Sequence, residues 1–139
     1  MIDIYELNIG QIVTPKMGLE LARYFKLDYL IERLEKHPDK YKDFVWDGCS
    51  MIPDRLLTVF TGINWRQITY NCCMPHDCAY AYGELGNKKE KQKADFKLID
   101  DLLTIGMLTW QVQLFYNAVE IGGAEHLKLD FSWGFANKE

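Results

Sequence analysis

One apolar, cysteine-rich run organises this chain: Asn71-Cys72-Cys73-Met74-Pro75-His76-Asp77-Cys78-Ala79-Tyr80. In a helix, Cys73, His76 and Tyr80 share one face, because their spacing is i, i+3 and i+7. Apolar and small residues extend this face in both directions: Trp65, Ile68, Thr69, Cys72, Ala79 and Gly83. The pattern predicts a core-facing helix over about residues 65–82 with a histidine in its buried stripe. Pro75 removes one backbone hydrogen bond, so this helix should bend or begin late near that point.

The pair His76-Asp77 has two interpretations. Asp77 lies about 100° round the helix from His76, at the edge of the same face. A buried imidazole needs hydrogen-bonding partners, because an unpaired buried polar group costs free energy. His76 is therefore either a core histidine with satisfied bonds or the centre of a chemical site.

A second helix is predicted over about residues 91–105. Its inward stripe consists of Asp95, Leu98, Ile99, Leu102 and Ile105. An aspartate on an inward stripe is informative, because buried carboxylates are nearly always paired. If the short polar loop after the first helix makes the two helices antiparallel, Asp95 lies opposite His76 or Tyr80. Alternatively, Asp95 is an acid near a helix N-terminus that the helix dipole stabilises.

The segment around Asp47-Gly48 reads as an extended strand followed by a turn. Gly48 permits a backbone conformation that lets carbonyl groups point to one spot. With Asp47, such a loop can hold a hard cation through oxygen atoms. The loop alone is better interpreted as an ordinary Asp-Gly turn.

Composition predicts one mainly α domain over residues 1–139, with its core motif region at 43–121. Further helices should start at Thr14-Pro15, with Thr as N-cap, at Asp28 as a cap, at Asp54, and at about residue 108. Minor β or extended segments are expected at the N-terminus, near residue 44 and in the aromatic tail.

The net charge is −4 and the sequence has no row of Lys and Arg residues that could follow a phosphate backbone. We therefore expect no nucleic-acid partner. No apolar run approaches the roughly 20 residues of a membrane span. The first residues lack a positive region followed by an apolar core, so no secretory signal is predicted. These features favour a cytoplasmic protein or one exported by a non-classical or phage route.

Four cysteines occur, at positions 49, 72, 73 and 78. They lack the paired C-x-x-C spacing of structural zinc sites, so zinc is not favoured. A disulfide from Cys49 to the helix could form, although a cytosolic setting would keep it reduced. Cys72 and Cys78 are about 9 Å apart along a helix axis and should not bridge to each other.

Three sequence motifs follow one another along the chain: Asp47-Gly48-Cys49, then Cys73-x-x-His76-Asp77-x-x-Tyr80, then Asp95. This order resembles the secreted phospholipase A2 superfamily, most closely its small prokaryotic branch, over about residues 43–105. The resemblance implies two antiparallel core helices and a phospholipase A2-like activity on phospholipid or another lipid ester. It also implies that His76 is the general base, that Asp95 holds the imidazole, and that Tyr80 supports Asp95.

The resemblance further implies a bound calcium ion, Ca2+, held by Asp47, the Gly48 carbonyl and Asp77. Calcium would polarise the ester carbonyl and stabilise the oxyanion. The loop and the helix would be joined by a disulfide between Cys49 and Cys73. A neutral imidazole suits the chemistry, because it accepts a proton from water near pH 7.

The chain is also similar to a family of small uncharacterised phage and prophage proteins. The matching residues include His76-Asp77, Tyr80, Ala94-Asp95 and the loop residues Asp47, Gly48, Ser50 and Pro53. Those proteins have no activity that could be carried over. This similarity favours a second function, that of a phage- or secretion-associated structural or interaction protein. In that case His76, Asp77 and Asp95 form a buried hydrogen-bond network that stabilises the fold.

Overall fold

The computed structural model of this chain describes residues 2–49, 54–124, 129 and 131–138. Most of these residues are helical, which confirms the predicted mainly α fold. The helices are α1 (Pro15–Tyr24), α2 (Asp28–Lys36), α3 (Asp54–Thr61), α4 (Trp65–Ile68), α5 (Met74–Ala81), α6 (Lys88–Thr104) and α7 (Thr109–Gly122). A 3-10 turn (Ile4–Glu6) precedes two short strands, β1 (Ile12–Val13) and β2 (Phe44–Val45). The strands pair antiparallel, with Ile12 opposite Val45.

The first two helices start close to where the sequence predicts. The Thr14 hydroxyl accepts a hydrogen bond from the Met17 N–H at 3.2 Å, and Pro15 follows at the first helical position. The cap prediction for Asp28 is wrong, because Leu27 occupies the cap position and Asp28 is the first residue of α2. At that position the Asp28 carboxylate still meets the positive end of the helix dipole.

The helix that carries His76 is continuous from α4 to α5, although Pro75 lies inside it. A π-helical segment (Thr69–Cys73) joins the two parts. Its last bond runs from the Met74 N–H to the Thr69 carbonyl, five residues back. Proline donates no N–H and crowds the preceding turn, and the wider π turn ahead of Pro75 gives its ring room. In place of the predicted bend or late start near Pro75, the helix widens locally.

Helices α5 and α6 pack antiparallel, as predicted. Two pairs define their register in opposite chain order: Tyr80 with Lys91, and His76 with Asp95. The limits of α6 differ from the predicted 91–105 by a few residues at its start, where the Asn87 side chain caps it by accepting from the Glu90 N–H at 3.0 Å.

The apolar interior forms three neighbouring clusters. One joins α1, α2 and α5, and a second joins α3, α6 and α7 around Cys49 and Cys73. The third is small and consists of Ala79, Tyr80, Ala94 and Trp133. Because it lies directly beside His76, this third cluster sets the packing around the candidate site.

The C-terminal residues fold back onto the end of α5. The Gly134 N–H donates to the Tyr80 carbonyl at 2.8 Å, and the Ala136 N–H donates to the Ala81 carbonyl at 3.0 Å. These bonds match the predicted packed extension, while residues 127–128 and 130 of that prediction lie outside the described residues. Within the described residues, no helix has the length and apolar character to cross a bilayer.

Candidate functional site

The centre of the site is the pair His76 and Asp95. The Nε2 atom of His76 on α5 lies 2.9 Å from the Oδ1 atom of Asp95 on α6. Both side chains are buried, with 8% and 3% of their surfaces exposed. The prediction that Asp95 faces His76 or Tyr80 is confirmed. The alternative of a first-turn acid is wrong, because Asp95 lies two turns inside α6, which begins at Lys88.

Both oxygens of the Asp95 carboxylate are bonded. The Tyr80 hydroxyl donates to Oδ1 at 2.5 Å, so this oxygen accepts from two side chains. The Lys91 ammonium donates to Oδ2 at 3.0 Å from one turn earlier on α6. Burial alone would raise the pKa of Asp95, but the bonds from His76, Tyr80 and Lys91 together hold it below its usual value. Asp95 is therefore a carboxylate at neutral pH.

The carboxylate determines how the imidazole is held. An ionised Asp95 accepts a hydrogen bond, so it favours the tautomer of neutral His76 with the proton on Nε2. The lone pair then lies on Nδ1, which has no hydrogen-bonding partner among the described residues. Burial and the Asp95 charge both raise the pKa of Tyr80, so its phenol stays protonated and remains a donor.

Asp77, the next residue, is held by the segment that follows β2. The Trp46 indole N–H donates to the Oδ2 atom of Asp77 at 3.0 Å. Trp46 directly precedes Asp47 and Gly48, so this bond places the predicted cation loop beside the His76 helix. Asp77 is half-buried and Asp47 is exposed. Gly48 has a φ of 73°, a left-handed conformation that a residue with a side chain rarely adopts.

A disulfide joins the same loop to the same helix. Cys49 and Cys73 are bonded, with a Cα–Cα distance of 5.5 Å. This confirms both the predicted proximity and the pairing that the resemblance implied. Cys72 and Cys78 are free and buried, as expected from their separation on one helix. Burial raises the pKa of the Cys72 thiol to about 12, so that thiol is not a nucleophile at neutral pH.

The predicted calcium ligands have the right donor chemistry. Asp47, Asp77 and the Gly48 carbonyl supply only oxygen atoms, which hard cations prefer. The bond from Trp46 and the disulfide hold two of these elements near each other. The described residues contain no group of three or more His, Cys, Asp or Glu side chains that could hold a metal. Calcium at this place would therefore depend on backbone carbonyls and water as well as on the two carboxylates.

His76 borders two cavities. A small one of about 30 Å³ is lined by His76, Asp77, Tyr80 and the disulfide. Its size suffices for about one water molecule. A larger one of about 600 Å³ lies on the other side of His76, between α2, α5 and α6. His76 thus lines both a water-sized space and a large one, and the lining of each is mostly apolar.

Three side chains of the site were missed by sequence reasoning. Lys91 had a usable signal, because it precedes Asp95 by four residues on one helix face. Trp46 and Trp133 had none, because they reach the site from distant segments. The ring of Trp133 packs edge-on against Tyr80 with centroids 5.1 Å apart, and its indole N–H donates to the Glu84 carbonyl at 2.8 Å. Ser50 and Pro53 of the loop lie outside the described residues.

The fold and the site together define a small, mainly helical domain with a buried, bonded histidine–aspartate pair. No protein-family model, curated protein or solved structure matches this chain.

Proposed function

We propose that this chain is a phospholipase A2-like hydrolase that cleaves a carboxylic ester in a lipid. The observation that carries the proposal is the arrangement of His76. Its Nε2 atom is 2.9 Å from a buried carboxylate, and its Nδ1 atom has no partner among the described residues. A general base needs this combination of one oriented nitrogen and one available lone pair.

The proposed reaction begins with a water molecule in the small cavity beside His76 and Asp77. His76 Nδ1 takes a proton from this water as the water oxygen forms a bond to the ester carbonyl carbon. The ester C–O bond then breaks, and the proton on Nδ1 passes to the departing alkoxide. The products are a carboxylic acid and an alcohol, and His76 returns to its neutral form.

Asp95 supports this cycle without changing its own protonation. Its negative charge stabilises the imidazolium that forms when His76 accepts the proton. Tyr80 and Lys91 occupy the remaining acceptor positions, so the carboxylate keeps one orientation. The ring therefore presents the same nitrogen to water in every cycle, which is the geometric requirement for efficient proton transfer.

A calcium ion belongs to the proposal. It would be held by Asp47, Asp77 and the Gly48 carbonyl. When bound there, it would supply positive charge that stabilises the developing oxyanion of the ester.

A structural role is the second candidate, in a phage- or secretion-associated structural or interaction protein. The observation that favours it is burial, because 8% of the His76 side chain and 3% of the Asp95 side chain are exposed. A buried hydrogen-bond network can also serve to specify one core arrangement. In that case His76 contributes to stability and not to chemistry.

The substitution His76→Asn separates the two candidates. An asparagine amide keeps some of the imidazole's hydrogen bonds but accepts no proton near neutral pH. Fatty acid release from mixed phospholipid vesicles with calcium should disappear in His76→Asn, while the circular dichroism spectrum stays native. The control His37→Asn changes an exposed histidine at the end of α2 and should keep full activity. No release by the wild-type chain, together with a stability loss of about 1–3 kcal/mol in His76→Asn, would leave only the structural role.

A further inference from the structure

The outer face of α7 is apolar where a surface helix is usually charged. Trp110, Leu114 and Ile121 are each more than half exposed, although the opposite face of the helix is buried in the core. Glu120 is the single charged residue of this helix. The cores of protein interfaces are likewise poor in charged residues and rich in aromatic ones, so this face has the composition of a contact surface.

The apolar surface continues from α7 onto α3. The rings of Trp110 and Phe60 lie edge to face, with their centroids 5.6 Å apart. Leu56 and Val59 lie within one turn of Phe60 on α3, and both are more than half exposed. Together these side chains form one surface, which we call the α3–α7 face: Leu56, Val59, Phe60, Trp110, Leu114 and Ile121.

The α3–α7 face is large for a surface that is left open to water. At roughly 150 Å² for a whole large apolar side chain, its exposed parts amount to about 500 Å². The largest apolar patch of a typical monomer covers about 300–600 Å² and often has a function. Each partner of a standard stable interface contributes about 800 Å², so this face with its polar rim has the size of a weak, reversible dimer contact.

The spacing along α7 indicates which partner fits. Trp110, Leu114, Asn117 and Ile121 follow one another at intervals of four, three and four residues, the spacing of a helix–helix seam. This series of intervals is the same from either end of the helix. Two copies of α7 can therefore lie antiparallel about a twofold axis. Trp110 then packs against Ile121 of the second copy, and Leu114 packs against Asn117 of the second copy.

Asn117 fits into such a seam because its amide is already bonded. The Gln113 amide donates to the Oδ1 atom of Asn117 at 3.0 Å, so this acceptor is satisfied within the helix. A polar residue at one position of a seam also limits the register in which two helices pair.

We propose that the α3–α7 face binds a second copy of this chain, with the two α7 helices antiparallel about a twofold axis. In such a contact the same surface serves both copies, so one apolar face is enough. The large cavity beside His76 stays open in this dimer, because no described residue of α3 or α7 lines it. The inference therefore does not depend on the proposed function.

Other partners match the face less well than a second copy. Helices that lie on a membrane surface usually carry Lys and Arg on their polar face, and α7 contains neither residue. An unrelated protein would not require a seam whose spacing is symmetric about its own centre.

Sedimentation equilibrium over roughly 1–300 µM, a range suited to a weak contact, tests the proposal. The mass of the wild type should rise with concentration from 16.3 kDa toward twice that value. Leu114→Glu should raise the dissociation constant at least about 100-fold, because it places a carboxylate in the apolar seam. Ile121→Glu should have the same effect, and its circular dichroism spectrum should stay native because Ile121 is the most exposed apolar residue of α7. The matched control Ile12→Glu adds the same charge at a comparably exposed residue of β1 and should keep the dimer.

Cysteine cross-linking tests the direction of the two helices. A mixture of Trp110→Cys and Ile121→Cys should form an intermolecular disulfide on oxidation, whereas neither variant should do so alone. The wild type should form none, because its free cysteines, Cys72 and Cys78, are buried. Cross-linking of each variant with itself would indicate parallel helices and overturn the proposed arrangement.

Three further results would overturn the inference. One is a wild type that stays monomeric at the highest concentration. Another is a dimer that persists in both Leu114→Glu and Ile121→Glu, or that is lost equally in Ile12→Glu. The third is a monomeric wild type that binds phospholipid vesicles through the same residues, because the face would then contact lipid.

Discussion

The Nζ atom of Lys91 lies 3.0 Å from the Oδ2 atom of Asp95, on the oxygen that His76 and Tyr80 leave open. Only 17% of the lysine side chain is exposed. Its ammonium also lies over the Tyr80 ring, 5.6 Å from the ring centroid. The candidate site is therefore a network of four side chains in which one carboxylate accepts three hydrogen bonds.

Lys91→Met should destabilise the fold by about 1–3 kcal/mol, because it leaves one oxygen of a buried carboxylate without a donor. Urea unfolding followed by circular dichroism measures the change. The control Lys97→Met removes a similar i, i+4 pair with Asp101, which is much more exposed, and should cost less than about 1 kcal/mol. Equal losses of stability in the two variants would mean that the buried Lys91–Asp95 bond contributes no more than the exposed Lys97–Asp101 pair.

The ionisation of Asp95 should make the stability of the fold depend on pH. Its pKa is lowered in the folded state, while an unfolded aspartate has a pKa of about 3.9. A group with a lowered folded pKa stabilises the fold above its unfolded pKa, and this stabilisation is lost as pH falls through the folded pKa. The difference in unfolding free energy between the wild type and Asp95→Asn should therefore shrink below about pH 4.

Tyr80→Phe tests whether the pH dependence of stability comes from Asp95. It keeps the carboxyl of Asp95 but removes one of its donors, so the folded pKa should rise toward the usual value. The loss of stability on acidification should then be smaller than in the wild type and should be complete at a higher pH. A stability difference between the wild type and Asp95→Asn that grows as the pH falls would contradict the assignment.

The disulfide should contribute about 3 kcal/mol to stability, from the loss of chain entropy for a loop of 24 residues. Dithiothreitol should lower the melting temperature of the wild type but not that of Cys49→Ala/Cys73→Ala. Cys72→Ala, which changes a free cysteine in the same helix, should keep the full response to reduction. A wild type insensitive to the reductant under conditions that expose free thiols would argue that the bond adds no stability.

Calcium should raise the melting temperature if Asp47, Asp77 and the Gly48 carbonyl bind it, because a ligand of the folded state stabilises that state. At a free calcium concentration of about 100 Kd, binding should raise the free energy of unfolding by about 2.7 kcal/mol. Asp77→Asn should remove the shift, while Asp101→Asn, which changes a carboxylate paired with Lys97, should keep it. An identical shift in the wild type and Asp77→Asn would place any bound calcium elsewhere.

Much of the site could be predicted from local patterns. Helical periodicity places His76 and Asp95 on inward faces, and each polar residue there needs a partner in the core. Because the loop between the helices is short, antiparallel packing follows, and each buried group becomes the other's nearest candidate. The observed 2.9 Å contact agrees with that reasoning. The order of Cys49, Cys73 and the His-Asp pair likewise indicated the disulfide through the family resemblance.

Local patterns did not indicate how the proline is accommodated. Pro75 predicts a bend or a late start of the helix, since it lacks a donor, yet a π-helical segment keeps the helix continuous. The choice between a kink and a wider turn depends on what surrounds the helix. Here every residue from Ile68 to Tyr70 and from Cys72 to His76 is buried, so the packing around this segment determines its shape.

The sequence by itself determined the helices and their inward faces, because these follow from spacing along one chain segment. It offered the contact of Asp95 with His76 or Tyr80 as one of two alternatives, and the tertiary structure decided between them. Only the tertiary structure decided that Trp46 donates a hydrogen bond to Asp77 and that Trp133 packs on Tyr80. It also decided that the large cavity beside His76 lies between α2, α5 and α6. Those contacts, with the Arg33–Glu90 bond for α2 and α6, join residues 31 to 57 positions apart. Their register depends on how whole elements pack, which no periodicity within a single segment encodes.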